Sequence, residues 1–160
     1  MIIMNLLRVV FIAVSLALTL PVVAQESNDS NMEILRDKVK ADKKLVVAGN
    51  MQLTDAEAKK FWPVYDAYQA DLKKVNMQLG DVINTYADAY ANNAVTNDVA
   101  KKLVNDALAV EEAELKLKRT YLPKVDAAVG AVKAARYMQI ENKIRALIKF
   151  ELAGGIPLVK

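Results

Sequence analysis

Apolar residues return along one stretch of the chain at Phe61, Tyr65, Tyr68, Leu72, Val75, Leu79, Val82 and Tyr86, in alternating steps of four and three. That rhythm is the 3.6-residue period of a helix packed at a shallow angle along its length, and the two-residue alternation of a strand cannot produce it. A helix start is written just ahead of the seam. In Leu53-Thr54-Asp55-Ala56-Glu57 the Thr54 hydroxyl can accept from the amide of Glu57 while the Glu57 carboxylate reaches back to the amide of Thr54, which is a capping box. Asp55 adds a negative charge at the positive end of the helix dipole, and Leu53 stands where a hydrophobic staple belongs. The helix expected from Asp55 to about Tyr90 would be ~50 Å long. Pro63 cannot donate to the Lys59 carbonyl, so a kink or a short preceding turn is expected near Lys59 to Trp62.

The rest of the chain reads the same way, with only five Gly and four Pro to break it. A first helix is expected from about Met32 to Ala48, ended by Gly49-Asn50. Ala91-Asn92-Asn93-Ala94 reads as a turn. Thr96 then caps a third helix from Asn97, with Val95 as its staple, although Val99 stands where a capping-box acid would be. Its buried side should include Ala100, Leu103, Ala107, Val110, Leu117 and Tyr121. Glu114 falls on that stripe, marking either a polar notch or a drift of the stripe. Pro123 kinks or interrupts this helix, and Val129-Gly130 is its expected end. The fourth helix, about Ala131 to Leu152, should carry Tyr137, Ile140, Ile144 and Leu147 or Ile148 inward, with Gly154-Gly155 as its stop. Residues 32–153 are therefore expected to form one all-α domain of four helices, two of them long, as an antiparallel hairpin or bundle. Residues 154–160 form an extended apolar tail, either docked on the bundle or available to a partner.

Residues 1–24 combine Arg8, an aliphatic run from Val9 to Leu20, and the small-residue ending Val22-Val23-Ala24 after Pro21. This is the order of a secretory signal peptide, and the run is well short of the ~20 residues that span a bilayer. Cleavage after Ala24, export to the periplasm and no stable membrane anchor after cleavage are expected. Residues 25–31, QESNDSN, read as a disordered lead-in. The net charge of +3 falls to +2 once Arg8 is gone, too weak an imbalance to imply a nucleic-acid partner. Without any Cys or His, the chain has no disulfide, no thiol or imidazole chemistry and no Cys/His zinc site. Di-iron bundle chemistry would need Glu-x-x-His pairs that are absent. No spacing of Asp, Glu, Lys, Tyr, Ser or Thr suggests an active site, so a non-enzymatic protein without cofactor or metal is expected.

Several residues nevertheless invite a role. Trp62 stands off the seam, one position from Phe61, and Trp is a common interface anchor. Lys133, Arg136 and Lys143 lie at spacings of three and seven on one side of the fourth helix. Beside Tyr137 and Met138 they could make an amphipathic partner surface, or simply a solvated face. Glu111, Glu112 and Glu114 read as a solvated acidic face rather than metal ligands, and Glu141 and Arg145 as an ordinary i,i+4 surface ion pair.

Leu53-Thr54-Asp55-Ala56-Glu57 resembles the LTxxQ motif of the Spy/CpxP family of small periplasmic helical stress proteins. Val95-Thr96-Asn97-Asp98-Val99 resembles a degraded second copy. Glu57 replaces the motif's Gln, and the second copy has Val95 for Leu and Val99 for Gln. The resemblance covers Leu53 to about Leu152. It implies a helical hairpin that dimerises into a curved cradle and binds unfolded or partly folded envelope proteins, or a membrane sensor domain, on its concave side. The expectation is thus an ATP-independent chaperone or an adaptor to such a sensor. Two alternatives are a structural or regulatory bundle without clients and a metal-responsive sensor. The second lacks His, and Met32, Met51, Met77 and Met138 are scattered over different elements.

Overall fold

A computed structural model describes residues 42–159 of the chain. The leader, the lead-in and the start of the first helix lie outside the described residues. Within them the protein is an all-α bundle of four helices. Helix α1 covers residues 42–51 of the described chain. It is followed by α2 (Asp55–Ala91), α3 (Asn97–Val129) and α4 (Ala131–Gly155). At 1.5 Å per residue these three are ~55, ~50 and ~37 Å long. No helix among the described residues is long and apolar enough to cross a membrane.

The helices follow local chemistry closely, with four adjustments. Gly49 and Asn50 do not end α1: both are helical, and the chain leaves the helix through Gln52, which takes the left-handed conformation at φ 49°. Pro63 neither breaks α2 nor shortens it; the helix runs from Asp55 through Ala91. Pro123 likewise sits inside a continuous α3. Gly154 and Gly155 belong to the last turn of α4, and Ile156, in extended backbone, is its cap. The two Thr caps form as the sequence implies. Thr54 Oγ1 accepts from the Glu57 amide at 3.3 Å, and the Glu57 carboxylate accepts from the Thr54 amide at 2.8 Å. Thr96 Oγ1 accepts from the Val99 amide, without the reciprocal half.

α2 and α3 form an antiparallel hairpin about the Asn92-Asn93 turn, where Asn93 adopts φ 51°. A single residue, Gly130, joins α3 to α4. It closes α3 by donating to the Asp126 carbonyl and opens α4 by accepting from the Ala134 amide, at φ 80°. That left-handed value suits a residue without a Cβ. The Glu114–Arg145 and Glu111–Lys149 pairs, mirrored about Gly130, show α4 running back antiparallel along α3.

The seam residues Phe61, Tyr65, Tyr68, Leu72 and Val75 are buried, and they meet Val110, Leu117, Tyr121, Val125 and Val129 of α3, Ala134 and Tyr137 of α4, and Val47 and Met51 of α1. Tyr137 is the hub of an aromatic block. Its ring makes edge contacts with Phe61, Tyr65 and Tyr68 at centroid distances of 5.2, 6.1 and 5.9 Å, and Tyr68 makes another with Tyr121 at 5.4 Å. Such edge-to-face pairs favour packing beyond the area they bury.

Candidate binding groove

The core thins along the hairpin because α4 is the shortest of the three long helices. Mirrored about Gly130, its last residue, Gly155, lies opposite about Asn105, so the first turns of α3 and the facing part of α2 extend beyond its end. Seam residues there are only partly buried: Leu79 and Val82 pack against the edge of the core instead of inside it. The result is a cavity of 460 Å³ with an apolar lining from Leu79, Val82, Ile83 and Tyr86 on α2 and Leu103 on α3, with Leu152 at the end of α4. The paired side chains of Glu111 and Lys149, 3.2 Å apart, supply its charged edge.

The tail settles into this groove. Ile156 and Val159 contribute to its wall, and the Tyr86 hydroxyl donates to the Pro157 carbonyl at 2.8 Å. Leu158, between them, is 89% exposed. The tail is therefore docked, with side chains shared between the groove and solvent.

A second, polar cavity of 290 Å³ lies near the middle of the bundle, lined by residues of α1, α2, α3 and α4. Lys43 Nζ donates to Glu141 Oε2 at 2.7 Å and to Gln69 Oε1 at 2.9 Å. Gln69 Nε2 in turn donates to Glu141 Oε1 at 2.9 Å and to the Tyr137 hydroxyl at 3.3 Å. Beside this set, Arg145 Nε donates to Glu114 Oε2 at 2.7 Å, its Nη1 donates to Asn76 Oδ1 at 2.7 Å, and Lys118 holds the other Glu114 oxygen at 2.8 Å. Burial by itself raises the Glu114 carboxyl pKa, but the hydrogen bonds and charges of Lys118 and Arg145 outweigh it and hold the group below its ordinary value. Both buried carboxylates are thus met by cations, as buried charges must be. The network ties four helices together. Among the described residues no group of three or more acidic side chains is placed to hold a metal ion.

The structure redistributes the residues singled out from the sequence. Tyr137 is not on a partner surface: it is 0% exposed and sits in the aromatic block, since the helix face it shares with Ala134 and Ile144 is the one that meets α2. Met138 is partly buried against the same core. Lys133 is drawn to the start of α2, where its Nζ donates to Glu57 Oε2 at 2.6 Å and to the Gln52 carbonyl at 3.0 Å. Of the basic stripe, Arg136 is half-buried and Lys143 exposed, so no continuous basic and apolar face forms. Trp62 is half-buried, edge-on to Phe61 and Tyr65, with Lys44 Nζ 5.1 Å above its ring. Glu114 is the notch on the α3 stripe rather than part of a solvated acidic face. Glu141 and Arg145 are buried, and each pairs with other elements instead of forming a surface pair.

Leu53, Thr54, Glu57 and Thr96 act as helix-start residues, with Leu53 packed against the core. Lys133 adds a third element to the first cap. Its bond to Glu57, with that of the Thr54 amide, holds the Glu57 carboxyl down to about 2. The groove was missed from the sequence. Its available signal was the relative length of the helices, since a fourth helix ending at Gly155 cannot cover seam positions as far along as Tyr86. No family model, curated protein or solved structure matches the chain.

Proposed function

We propose that the protein is a non-enzymatic binding protein that captures extended apolar polypeptide segments in the groove between α2, α3 and the end of α4. The observation that supports this reading is the groove's own occupant: an extended apolar stretch, Ile156-Pro157-Leu158-Val159, lies against it through two side chains and one main-chain hydrogen bond. A surface that accepts one such segment by apolar contact and a single carbonyl suits others of like chemistry, with little demand on their sequence. Read with the signal-peptide-like leader and the LTxxQ-like helix starts, this makes the protein a periplasmic partner of envelope-stress type. It would act as an ATP-independent chaperone for unfolded or partly folded envelope proteins, or as an adaptor to a membrane sensor.

The test is suppression of aggregation. Purified protein at near-stoichiometric amounts should keep a denatured client soluble. Deleting residues 156–160 should strengthen the effect by freeing the groove, and Ile83→Glu, which places a charge in its wall, should abolish it while helix content by circular dichroism stays unchanged. No suppression across several clients, or full suppression by Ile83→Glu, would remove the chaperone reading.

A further inference from the structure

The polar cavity holds more donors than its ion pairs use. α3 packs on both α2 and α4, but no Cα of α2 comes within 8 Å of one of α4, so side chains alone bridge the gap between those two helices. Four cations, Lys43, Lys73, Lys118 and Arg145, line the cavity against two carboxylates, Glu114 and Glu141, an excess of two positive charges. Lys43 is engaged by Glu141, and Lys118 and Arg145 by Glu114. Lys73 is exposed at the cavity's edge and has no ion pair or hydrogen bond among the described residues. Tyr68, on the inner wall, is 1% exposed, yet its hydroxyl bonds to none of the described residues. The charges that act on that hydroxyl belong to Glu141, Glu114 and Arg145, all of them on the cavity wall. A buried hydroxyl left unpaired is costly, so such a group marks a place where a partner enters.

The chemistry of that partner follows from the lining. Burial and the two carboxylates hold the Tyr68 hydroxyl pKa well above its ordinary 10, so at neutral pH the group keeps its hydrogen and can donate it. A cationic ligand would add to an excess of positive charge that both carboxylates already fail to balance, whereas an anion reduces it. Leu72, Ile144 and Ile148 give the cavity an apolar side that a bare inorganic anion would leave unused. Its 290 Å³ is far beyond the ~15 Å³ that admits one water, and takes a molecule of several heavy atoms. We infer that the cavity between α2 and α4 binds a small organic anion, a carboxylate on a short aliphatic body. The carboxylate is drawn to Lys73 and the Tyr68 hydroxyl, and the body lies against Leu72, Ile144 and Ile148. A few placed polar groups beside an apolar wall is the usual make-up of a small-molecule site. The cavity shares no lining residue with the apolar groove, so it could be filled while the groove is in use.

Titration of the 15N-labelled protein at constant ionic strength, followed by amide chemical shifts, tests this with four probes. Sodium butyrate should give saturable shifts centred on the amides of Leu72, Lys73, Ile144 and Arg145. Butylammonium and butanol, with the same body but the opposite charge or none, should give no such shifts, and inorganic phosphate should bind more weakly than butyrate. Tyr68→Phe removes an oxygen that the folded chain leaves unbonded, so its helix content and melting temperature should hold while butyrate binds about tenfold more weakly. Lys73→Met, at an exposed position, should likewise fold and lose about tenfold. No shift with butyrate at tens of millimolar, an equal response to butylammonium or butanol, phosphate binding as tightly as butyrate, or an affinity unchanged in either variant would each overturn the inference.

Discussion

Replacing Arg145 by methionine tests a buried, hydrogen-bonded ion pair. The guanidinium meets the Glu114 carboxylate through Nε at 2.7 Å and Nη2 at 2.6 Å and also serves the Asn76 side-chain carbonyl, and both charged residues are buried. Methionine fills similar space, so the change is electrostatic: Glu114 keeps only Lys118, and Asn76 loses its donor. Removing one member of a buried ion pair costs about 3–5 kcal/mol, and the remaining Lys118 places Arg145→Met near the lower end, about 3 kcal/mol. For a chain of this size that lowers the melting temperature by roughly 10 °C. The decisive comparison is Glu114→Leu added to Arg145→Met. It removes the stranded carboxylate, and apolar replacement of a whole buried pair is often neutral, so the double variant should return to within about 1 kcal/mol of the unaltered protein. Urea denaturation followed by circular dichroism and Trp62 fluorescence measures both. A neutral single variant, or a double variant as unstable as the sum of its parts, would refute the view that the pair is a mutual dependence rather than a net source of stability.

Other consequences concern caps and pH. Thr54→Ala should cost about 1 kcal/mol in the same denaturation assay without altering client binding, because the hydroxyl serves the α2 start. The Glu57 carboxyl, held at about 2 by Lys133 and the Thr54 amide, ionises in the unfolded chain near its ordinary 4.5. Its contribution to stability is therefore complete above pH 4.5 and lost as pH falls toward 2, and Glu57→Gln should flatten that part of an acid titration of stability. Burial pushes the hydroxyls of Tyr65, Tyr68 and Tyr137 well above their ordinary 10. Below pH 10 they cost nothing; above it the unfolded chain ionises first, and stability should fall by up to about 1.4 kcal/mol per pH unit for each tyrosine. Absorbance at 295 nm should show these three ionising only together with unfolding.

The sequence by itself determined the helices, because their causes are local. The four-three rhythm from Phe61 to Tyr86, the Thr54 and Thr96 caps, the Asn92-Asn93 turn and the Gly130 joint all act within a few residues, and each is found where the spacing implies. Pro63 does not interrupt α2, whose neighbouring helices hold it in spite of one missing donor, and α4 runs on through the Gly154-Gly155 pair to Ile156. Partnership, by contrast, was decided only by the tertiary structure. Glu141 and Arg145 stand four apart like any surface pair, yet α1, α2 and α3 reach them first, so each is bound by a different element. Lys133 was legible as a helix charge but not as the clamp on Glu57, which depends on how α4 passes the start of α2. The groove exists because α4 is shorter than the hairpin it lies on. Periodicity specifies which residues share a face; which faces find a neighbour is settled by the lengths and registers of helices far apart in the chain.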